Sequence, residues 1–154
     1  MKLKFIALLL LLTLTLSACS TPSVQLLNPK ETVEQLQKAD TFTPELQELD
    51  EALMQKYLMI DASWYNDFYM LLDTSRASCE QILVITAKDK ESASNIESAL
   101  KAYTEALIQQ YKDYVPEELP KLENAVLHQK NLQFIYAVAP NHNAIIQNLN
   151  TFWK

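Results

Sequence analysis

The chain has 154 residues, a formal net charge of −6 and no glycine. This length suits one domain with a modest core, and the acidic balance argues against nucleic acid as a partner, because phosphate binding needs a basic face. The missing glycine excludes phosphate-cradling loops, dinucleotide fingerprints and the nucleophile elbow, since each needs glycine for a tight turn or a close backbone approach.

The first segment has the layout of a bacterial lipoprotein signal peptide. A basic start precedes the apolar run Phe5–Leu16, which ends in the lipobox sequence Leu16-Ser17-Ala18-Cys19. The run has about a dozen residues, fewer than the roughly 20 that a transmembrane helix needs. We therefore expect residues 1–18 to be cleaved. Cys19 would then carry the lipid and hold the protein at the outer face of the bacterial cytoplasmic membrane.

Cleavage would leave a more acidic chain that begins with a polar segment. Lys2 and Lys4 are lost, which changes the formal net charge from −6 to −8. No polybasic patch remains for anionic lipid, so attachment relies on the lipid itself. Residues 19–42 are polar and show no sustained periodicity, which predicts a flexible tether with a short helical stretch over 31–37. The domain is then expected to span 43–154.

The first half of this domain is predicted to contain one helix and two strands. Thr43-Pro44-Glu45 offers an N-cap, a proline at the first helical position and an acid in the first turn. Apolar residues then share one helical face, namely Leu46, Leu49, Leu53 and Tyr57. Asp67–Leu72 predicts a strand that ends in the turn Asp73-Thr74-Ser75. Glu80–Ala87 predicts a central strand, because it is apolar on both faces and rich in β-branched residues.

The second half begins with the longest predicted helix. Ser94-Asn95-Ile96-Glu97 fits a capping box, and Ser92 offers an alternative start. The helical face then runs to Pro116, which ends it; its residues are Ile96, Leu100, Tyr103, Leu107, Tyr111 and Tyr114. Glu117–Leu122 predicts a short helical turn.

A strand pair and a last helix complete the predicted domain. Ala125–His128 and Leu132–Ala139 predict strands joined by a turn at 129–131, and the second strand alternates cleanly between two faces. Asn141 is expected to cap the last helix. The order α-β-β-α-β-β-α indicates a single α+β domain. We expect a mostly antiparallel sheet of about four strands with helices packed on one face.

Three of these segments resemble a family of Gram-positive lipoproteins called domain of unknown function 4358. They are Glu80–Ile85, Tyr114-Val115-Pro116-Glu117-Glu118 and Asn124–Leu127, and the resemblance covers roughly residues 45 to 150. The Tyr-x-Pro-Glu-Glu segment followed by Asn-Ala is its most specific part. The resemblance implies a lipidated extracytoplasmic domain and no particular activity.

Cys79 is the one thiol left once Cys19 carries lipid, so no internal disulfide can form. A constellation of Cys79, His128 and an acid would be the minimum for thiol catalysis. The simpler interpretation is a partly buried structural cysteine with His128 and His142 partly exposed. There is no His-x-x-x-His and no cysteine pair, so we expect no metal site and no cofactor.

Two other groups of side chains suggest possible sites. Glu117-Glu118 beside Glu123 could be read as paired carboxylates for acid–base chemistry, although such a cluster is more often solvated. The tyrosines of the long helix are expected to pack against the sheet with their hydroxyls at its rim. Alternatively, they edge a groove for a partner, formed by Tyr111, Tyr114, Pro116 and Glu117.

The leading hypothesis from these features is a non-enzymatic, membrane-tethered module that binds an envelope protein, a peptide or a wall component. The rival is an unrecognised envelope hydrolase or thiol enzyme that uses Cys79 or the acidic cluster. A third possibility, a lipoprotein that delivers small ligands, would need a deep apolar pocket. A domain of this size with one sheet layer seldom has room for such a pocket.

Overall fold

The protein is described by a computed structural model over residues 26–40, 42 and 45–152. These residues form five helices and one five-stranded sheet, joined by two short 3-10 turns at Ala62–Trp64 and Pro116–Glu118. The helices are α1 Pro29–Ala39, α2 Glu51–Leu58, α3 Lys90–Tyr114, α4 Leu119–Glu123 and α5 His142–Phe152. The strands are β1 Gln47–Glu48, β2 Tyr65–Leu72, β3 Gln81–Ala87, β4 Val126–Lys130 and β5 Gln133–Val138.

The sheet confirms the predicted α+β class. Its strand order is β1-β2-β3-β5-β4, and every neighbouring pair is antiparallel. It has five strands where about four were predicted, because the short strand β1 adds an edge beside β2. β3 lies at the centre and is buried along its whole length, as its continuous apolar run predicts.

Helices cover both faces of the sheet, so the prediction of helices on one face is wrong. In the register of β3 with β5, Leu83 and Tyr136 point to the first face, whereas Val84 and Ile135 point to the second. The first face packs against α2, α3 and α4. The second face packs against α1 and α5. Both faces of the central strands therefore need apolar residues.

Helix α1 contains the helical stretch that was predicted over 31–37, but it packs on the sheet, whereas the whole segment was predicted to be a flexible tether. The side chains of Val33 and Leu36 are fully buried against the second face. Burying each of them contributes about 1.5–3 kcal/mol. Asn28 caps the helix through its side chain, which accepts a hydrogen bond from the Glu31 amide, and Pro29 takes the first position. The domain therefore includes these residues and does not begin at 43.

Two predicted helix starts are also wrong. The first predicted helix begins at Glu51, capped by Asp50, because the chain before it forms β1. Thr43 and Pro44, the predicted cap and first residue, lie outside the described residues. The long helix begins at Lys90, where Asp89 accepts a hydrogen bond from the Ser92 amide. The helix therefore starts after the aspartate N-cap and not at the capping box further along the chain.

Without glycine, tight turns use other residues in the left-handed region. Asn131 has φ 56° in the two-residue connection of β4 and β5, as the turn chemistry predicts. Arg76 has φ 62° just after the predicted turn at 73–75, and Met59 has φ 54° at the end of α2. A non-glycine residue in this region costs roughly 1–2 kcal/mol. The surrounding contacts must hold Arg76 and Met59 there.

The predicted signal peptide and Cys19 lie outside the described residues. Within the described part of the chain, no helix combines the length and apolar character needed to cross a bilayer.

Candidate functional site

A buried polar network surrounds Cys79 where the chain enters β3. The Glu118 carboxylate accepts hydrogen bonds at Oε2 from the Ser78 hydroxyl at 2.7 Å and from the Cys79 amide at 3.0 Å. The Cys79 thiol also donates to this oxygen, with an Sγ–Oε2 distance of 3.4 Å. The ammonium of Lys121 lies 2.7 Å from Glu118 Oε1 and 2.6 Å from Glu80 Oε1. One buried carboxylate thus joins the 3-10 turn and α4 to the start of β3.

Glu118 stays ionised inside this network. Burial raises the pKa of its carboxyl group, but the hydrogen bonds from Lys121, Ser78 and Cys79 outweigh burial and lower the pKa to about 2. For Lys121, burial acts to lower the pKa, and the hydrogen bonds to Glu118 and Glu80 raise it overall. The pair is therefore charged at neutral pH. Its hydrogen bonds compensate for desolvation, as a buried ion pair requires.

The same network disfavours Cys79 as a nucleophile. Burial and the adjacent Glu118 charge raise the pKa of the thiol, which keeps it protonated near neutral pH. His128 pairs with Ile135 across β4 and β5, so it lies on the second face of the sheet, whereas Cys79 lies in the core of the first. His142 begins α5, which also packs on the second face. The structure therefore does not bring Cys79 and the histidines together.

The predicted acidic cluster is divided between the interior and the surface. Glu118 is 8% exposed and is held by Lys121, whereas Glu117 and Glu123 are exposed. Because the two other members are exposed, Glu118 does not share its buried site with a second carboxylate of the cluster, as the acid–base reading requires. The part of the chain that the structure describes contains no group of three or more histidine, cysteine or acidic residues able to hold a metal ion.

A groove of about 380 Å³ opens between α2, α3 and the loop that joins β2 to β3. Its apolar surface comes from both helices and the sheet, namely Leu49, Leu53, Tyr57, Leu72, Tyr103, Ala106 and Leu107. Its polar surface comes chiefly from the loop and the start of β3, namely Asp73, Thr74, Arg76, Ser78, Glu80 and Gln81. The volume falls within the range of roughly 300–1,000 Å³ typical of ligand sites. The groove is partly polar, whereas delivery of a small ligand was expected to need a deep apolar pocket.

Hydrogen bonds fix the walls of this groove. The Tyr111 hydroxyl donates to the Ser78 carbonyl at 2.7 Å, and the Tyr103 hydroxyl donates to Gln81 Oε1 at 3.0 Å. Burial raises the pKa of both tyrosines to about 12, so both hydroxyls remain protonated donors. These two bonds tie α3 to the start of β3, and the groove has a rigid side.

The loop on the other side of the groove is closed by a single aspartate. The Asp73 carboxylate accepts hydrogen bonds from the Ser75 amide at 2.9 Å and from the Ser78 amide at 2.8 Å. Burial acts to raise its pKa, and these hydrogen bonds lower the pKa overall. Arg76 stands between the two bonded amides and is exposed. Closure of the loop by Asp73 therefore holds Arg76 in its left-handed conformation at the rim of the groove.

The structure divides the predicted partner surface. Tyr111 is 6% exposed and lines the groove, whereas Tyr114 is 82% exposed, and Pro116 and Glu117 are exposed as well. Tyr111 belongs to the wall that α3 contributes, and the other three residues are not among those that line the groove. The opposite wall was missed. Its signals were Leu53 and Tyr57 on one face of a short helix and the single arginine of the sequence.

The fold and the groove define a small α+β domain with helices on both sides of an antiparallel sheet and an amphipathic groove at a sheet–helix junction. The chain belongs to the family described as domain of unknown function (DUF4358), whose pattern matches residues 38–139. No curated protein and no solved structure gives a significant match.

Proposed function

We propose that this protein is a non-enzymatic binding module, tethered by lipid on Cys19 at the outer face of the bacterial cytoplasmic membrane, and that it binds its partner in the groove between α2 and α3. The groove is the observation that carries the proposal. It combines a rigid, hydrogen-bonded wall at Tyr103 and Tyr111 with apolar residues that remain accessible, because Leu53 is 38% and Tyr57 37% exposed. Partly exposed apolar and aromatic side chains beside fixed polar groups are characteristic of binding sites.

The attachment of the tether supports this arrangement. The side chain of buried Gln133 holds the backbone of Leu27 by two hydrogen bonds, at 2.9 Å from the Leu27 amide and 2.8 Å to its carbonyl. Leu27 packs with the second face of the sheet, and the groove lies on the first. Cys19 precedes Leu27 by eight residues, a reach of at most about 28 Å. A lipid on Cys19 would hold the domain close to the membrane while leaving the groove accessible.

Site-specific photocrosslinking in intact cells tests the binding site. A photoreactive phenylalanine analogue at Tyr57, inside the groove, is expected to capture a reproducible partner. The same analogue at Gln147 is the matched control, because Gln147 is exposed on α5, across the sheet, and does not line the groove. Equal capture at both positions, or no capture at Tyr57 above the control, would contradict the groove as the binding site.

Cys19→Ala tests the anchor separately. The variant is expected to lose metabolic labelling with fatty acid, because the thiol that would carry the lipid is absent. Cys79→Ser is the matched control and is expected to label as the wild type does. Wild-type labelling of the Cys19→Ala chain would refute lipidation at this residue.

The alternative, an envelope hydrolase or thiol enzyme that uses Cys79 or the acidic cluster, has less support. The raised pKa of the thiol and the burial of Glu118 in an ion pair both oppose the reactivity it needs. If Cys79→Ser reproduced the envelope phenotype of cells that lack the protein while the domain stayed folded, the enzyme alternative would be favoured.

A further inference from the structure

Arg76 is the single cationic side chain among the described residues that line the groove. Arg76 is the only arginine in the sequence, and it forms no ion pair or hydrogen bond through its side chain within the described part of the chain. The two acids that line the groove are already engaged. Asp73 accepts the two loop amides, and Glu80 is paired with Lys121. The Arg76 guanidinium thus remains available to an anionic group of a ligand, while Asp73 keeps its own negative charge in the same groove.

The position of this charge is fixed relative to the apolar wall. Asp73 closes the loop on both sides of Arg76, so its backbone is held before any ligand arrives. Arg76, Tyr57 and Tyr103 all line this groove. A guanidinium is suited to bidentate binding of a carboxylate. Leu53 and Leu107 offer apolar surface in the same groove.

The apolar strip continues beyond the groove along α3. Tyr103, Leu107 and Tyr114 recur on one helical face, with the polar Gln110 between the last two, and Tyr114 is 82% exposed. Tyr103 and Tyr114 are separated by about 16 Å along the helix axis, the length of about five residues of extended chain. A small amphiphile would leave most of this strip uncovered, whereas a peptide that starts at Arg76 can reach Tyr114.

From this geometry we infer that the groove binds the C-terminal end of an extracytoplasmic peptide. The free carboxylate pairs with Arg76, the last side chain is apolar and contacts Leu53 and Leu107, and the preceding residues run along α3 toward Tyr114. This inference rests on the proposed binding function and names the partner class. A peptide C-terminus meets both halves of the groove, because it carries a carboxylate and an apolar side chain on the same residue.

Peptide binding to the full, lipidated chain in lipid nanodiscs tests the inference, with empty nanodiscs as the blank. The probes are fluorescent pentapeptides of the form Phe-Ala-Ala-Ala-X, where X is Ala, Val, Leu or Phe with a free carboxylate. We expect saturable binding that is strongest for Leu or Phe. The C-terminal amide of the best peptide should bind at least about tenfold more weakly, since a charge-assisted pair is lost. N-acetylleucine should compete at least about tenfold more weakly, because it cannot reach the α3 strip.

Two variants locate the carboxylate. Arg76→Gln is expected to reduce binding of the free-carboxylate peptide to the level of its amide and to leave amide binding unchanged. Lys56→Gln removes a positive charge that lies outside the groove and should change neither affinity. Thermal unfolding of both variants shows whether the loop and helix remain folded, and the unchanged amide affinity is a second internal check.

Several results would overturn the inference. These are equal affinity for carboxylate and amide, equal affinity for the pentapeptide and N-acetylleucine, and no saturable binding by any of the four peptides. The crosslinking test at Tyr57 does not depend on any of these three results. Specific capture at Tyr57 without carboxylate-dependent peptide binding would refute the C-terminal peptide and retain the binding module, whereas loss of both would refute the module as well.

Discussion

Glu118→Gln tests the buried network that positions the groove. Glu118 has a pKa of about 2 in the folded protein against an ordinary value of 4.5. This difference corresponds to about 3 kcal/mol of stability at pH 7. The residue is 8% exposed, so solvent screening does not greatly reduce the figure. Glutamine has the same size and keeps one acceptor oxygen but loses the charge that holds Lys121. We expect a loss of about 3 kcal/mol, at the lower end of the cost of breaking a buried ion pair, because Glu80 still pairs with Lys121.

The direction of the pKa shift predicts how the stability contribution of Glu118 changes with pH. The folded-state pKa is below the ordinary value, so the contribution is fully present above pH 4.5 and is lost as pH falls toward 2. About 2 of the 3 kcal/mol should be gone at pH 3. Urea unfolding of the full chain at both pH values measures the difference between wild type and variant. It should shrink from about 3 kcal/mol at pH 7 to about 1 kcal/mol at pH 3.

Glu117→Gln is the matched control, since Glu117 is the adjacent glutamate and is exposed. It should change stability by no more than about 0.5 kcal/mol at either pH. Two results would refute the reasoning: a Glu118→Gln loss as small as that of the control, or a loss of the same size at pH 7 and pH 3.

Three further predictions concern other parts of the fold. Leu36→Ala should reduce the free energy of unfolding by about 2–5 kcal/mol. Gln35→Ala, at an exposed position of the same helix, should have little effect. Equal effects of the two substitutions would mean that α1 is not part of the cooperative domain. Cys79 should react with a disulfide reagent far more slowly in the folded protein than in urea at the same pH, because the thiol is buried and its pKa is raised, and equal rates would contradict its burial. Gln133→Leu should speed hydrogen exchange at the Leu27 amide, which loses its acceptor; unchanged exchange there would show that this bond does not hold the tether.

Much of the sheet could be predicted because its signals are local. The alternation in 132–139 assigned Phe134 and Tyr136 to one face and Ile135 and Ala137 to the other, and the packing confirms this. The continuous apolar run of β3 likewise predicted its central position. The two-sided covering could have been inferred from the same run, since a strand that is apolar on both faces needs a layer on each.

The errors arose where local patterns had two readings. Leu46 and Leu49 share helical spacing, but they flank the strand β1 and pack on opposite faces of the sheet. The helical stretch predicted over 31–37 lies within α1, but its packing on the sheet was missed, because the helix contributes few apolar residues and the face that buries it is far away in sequence. In such cases tertiary contacts decide between readings that propensity leaves open.

The candidate site was least predictable because its contacts span long sequence distances. Glu117 and Glu118 are adjacent and chemically identical, yet one is solvated and the other accepts from Ser78, 40 residues earlier. Arg76 is the single arginine in the sequence, but the sequence alone could not show that it lines a groove opposite α3. No spacing rule within the chain could bring these residues together.

The network and the groove are parts of one structure, because Ser78 and Cys79 belong to both. On one side they are held by Glu118, and on the other the Ser78 carbonyl accepts the hydroxyl of Tyr111 in the groove wall. Asp73 adds a bond from the loop that carries Arg76 to the Ser78 amide. Ser78 therefore sets the distance between the arginine rim and the wall formed by α3. The burial of so many polar groups around one residue is better explained by the need to fix this distance than by stability alone, since an apolar core of the same volume would stabilise the fold as well.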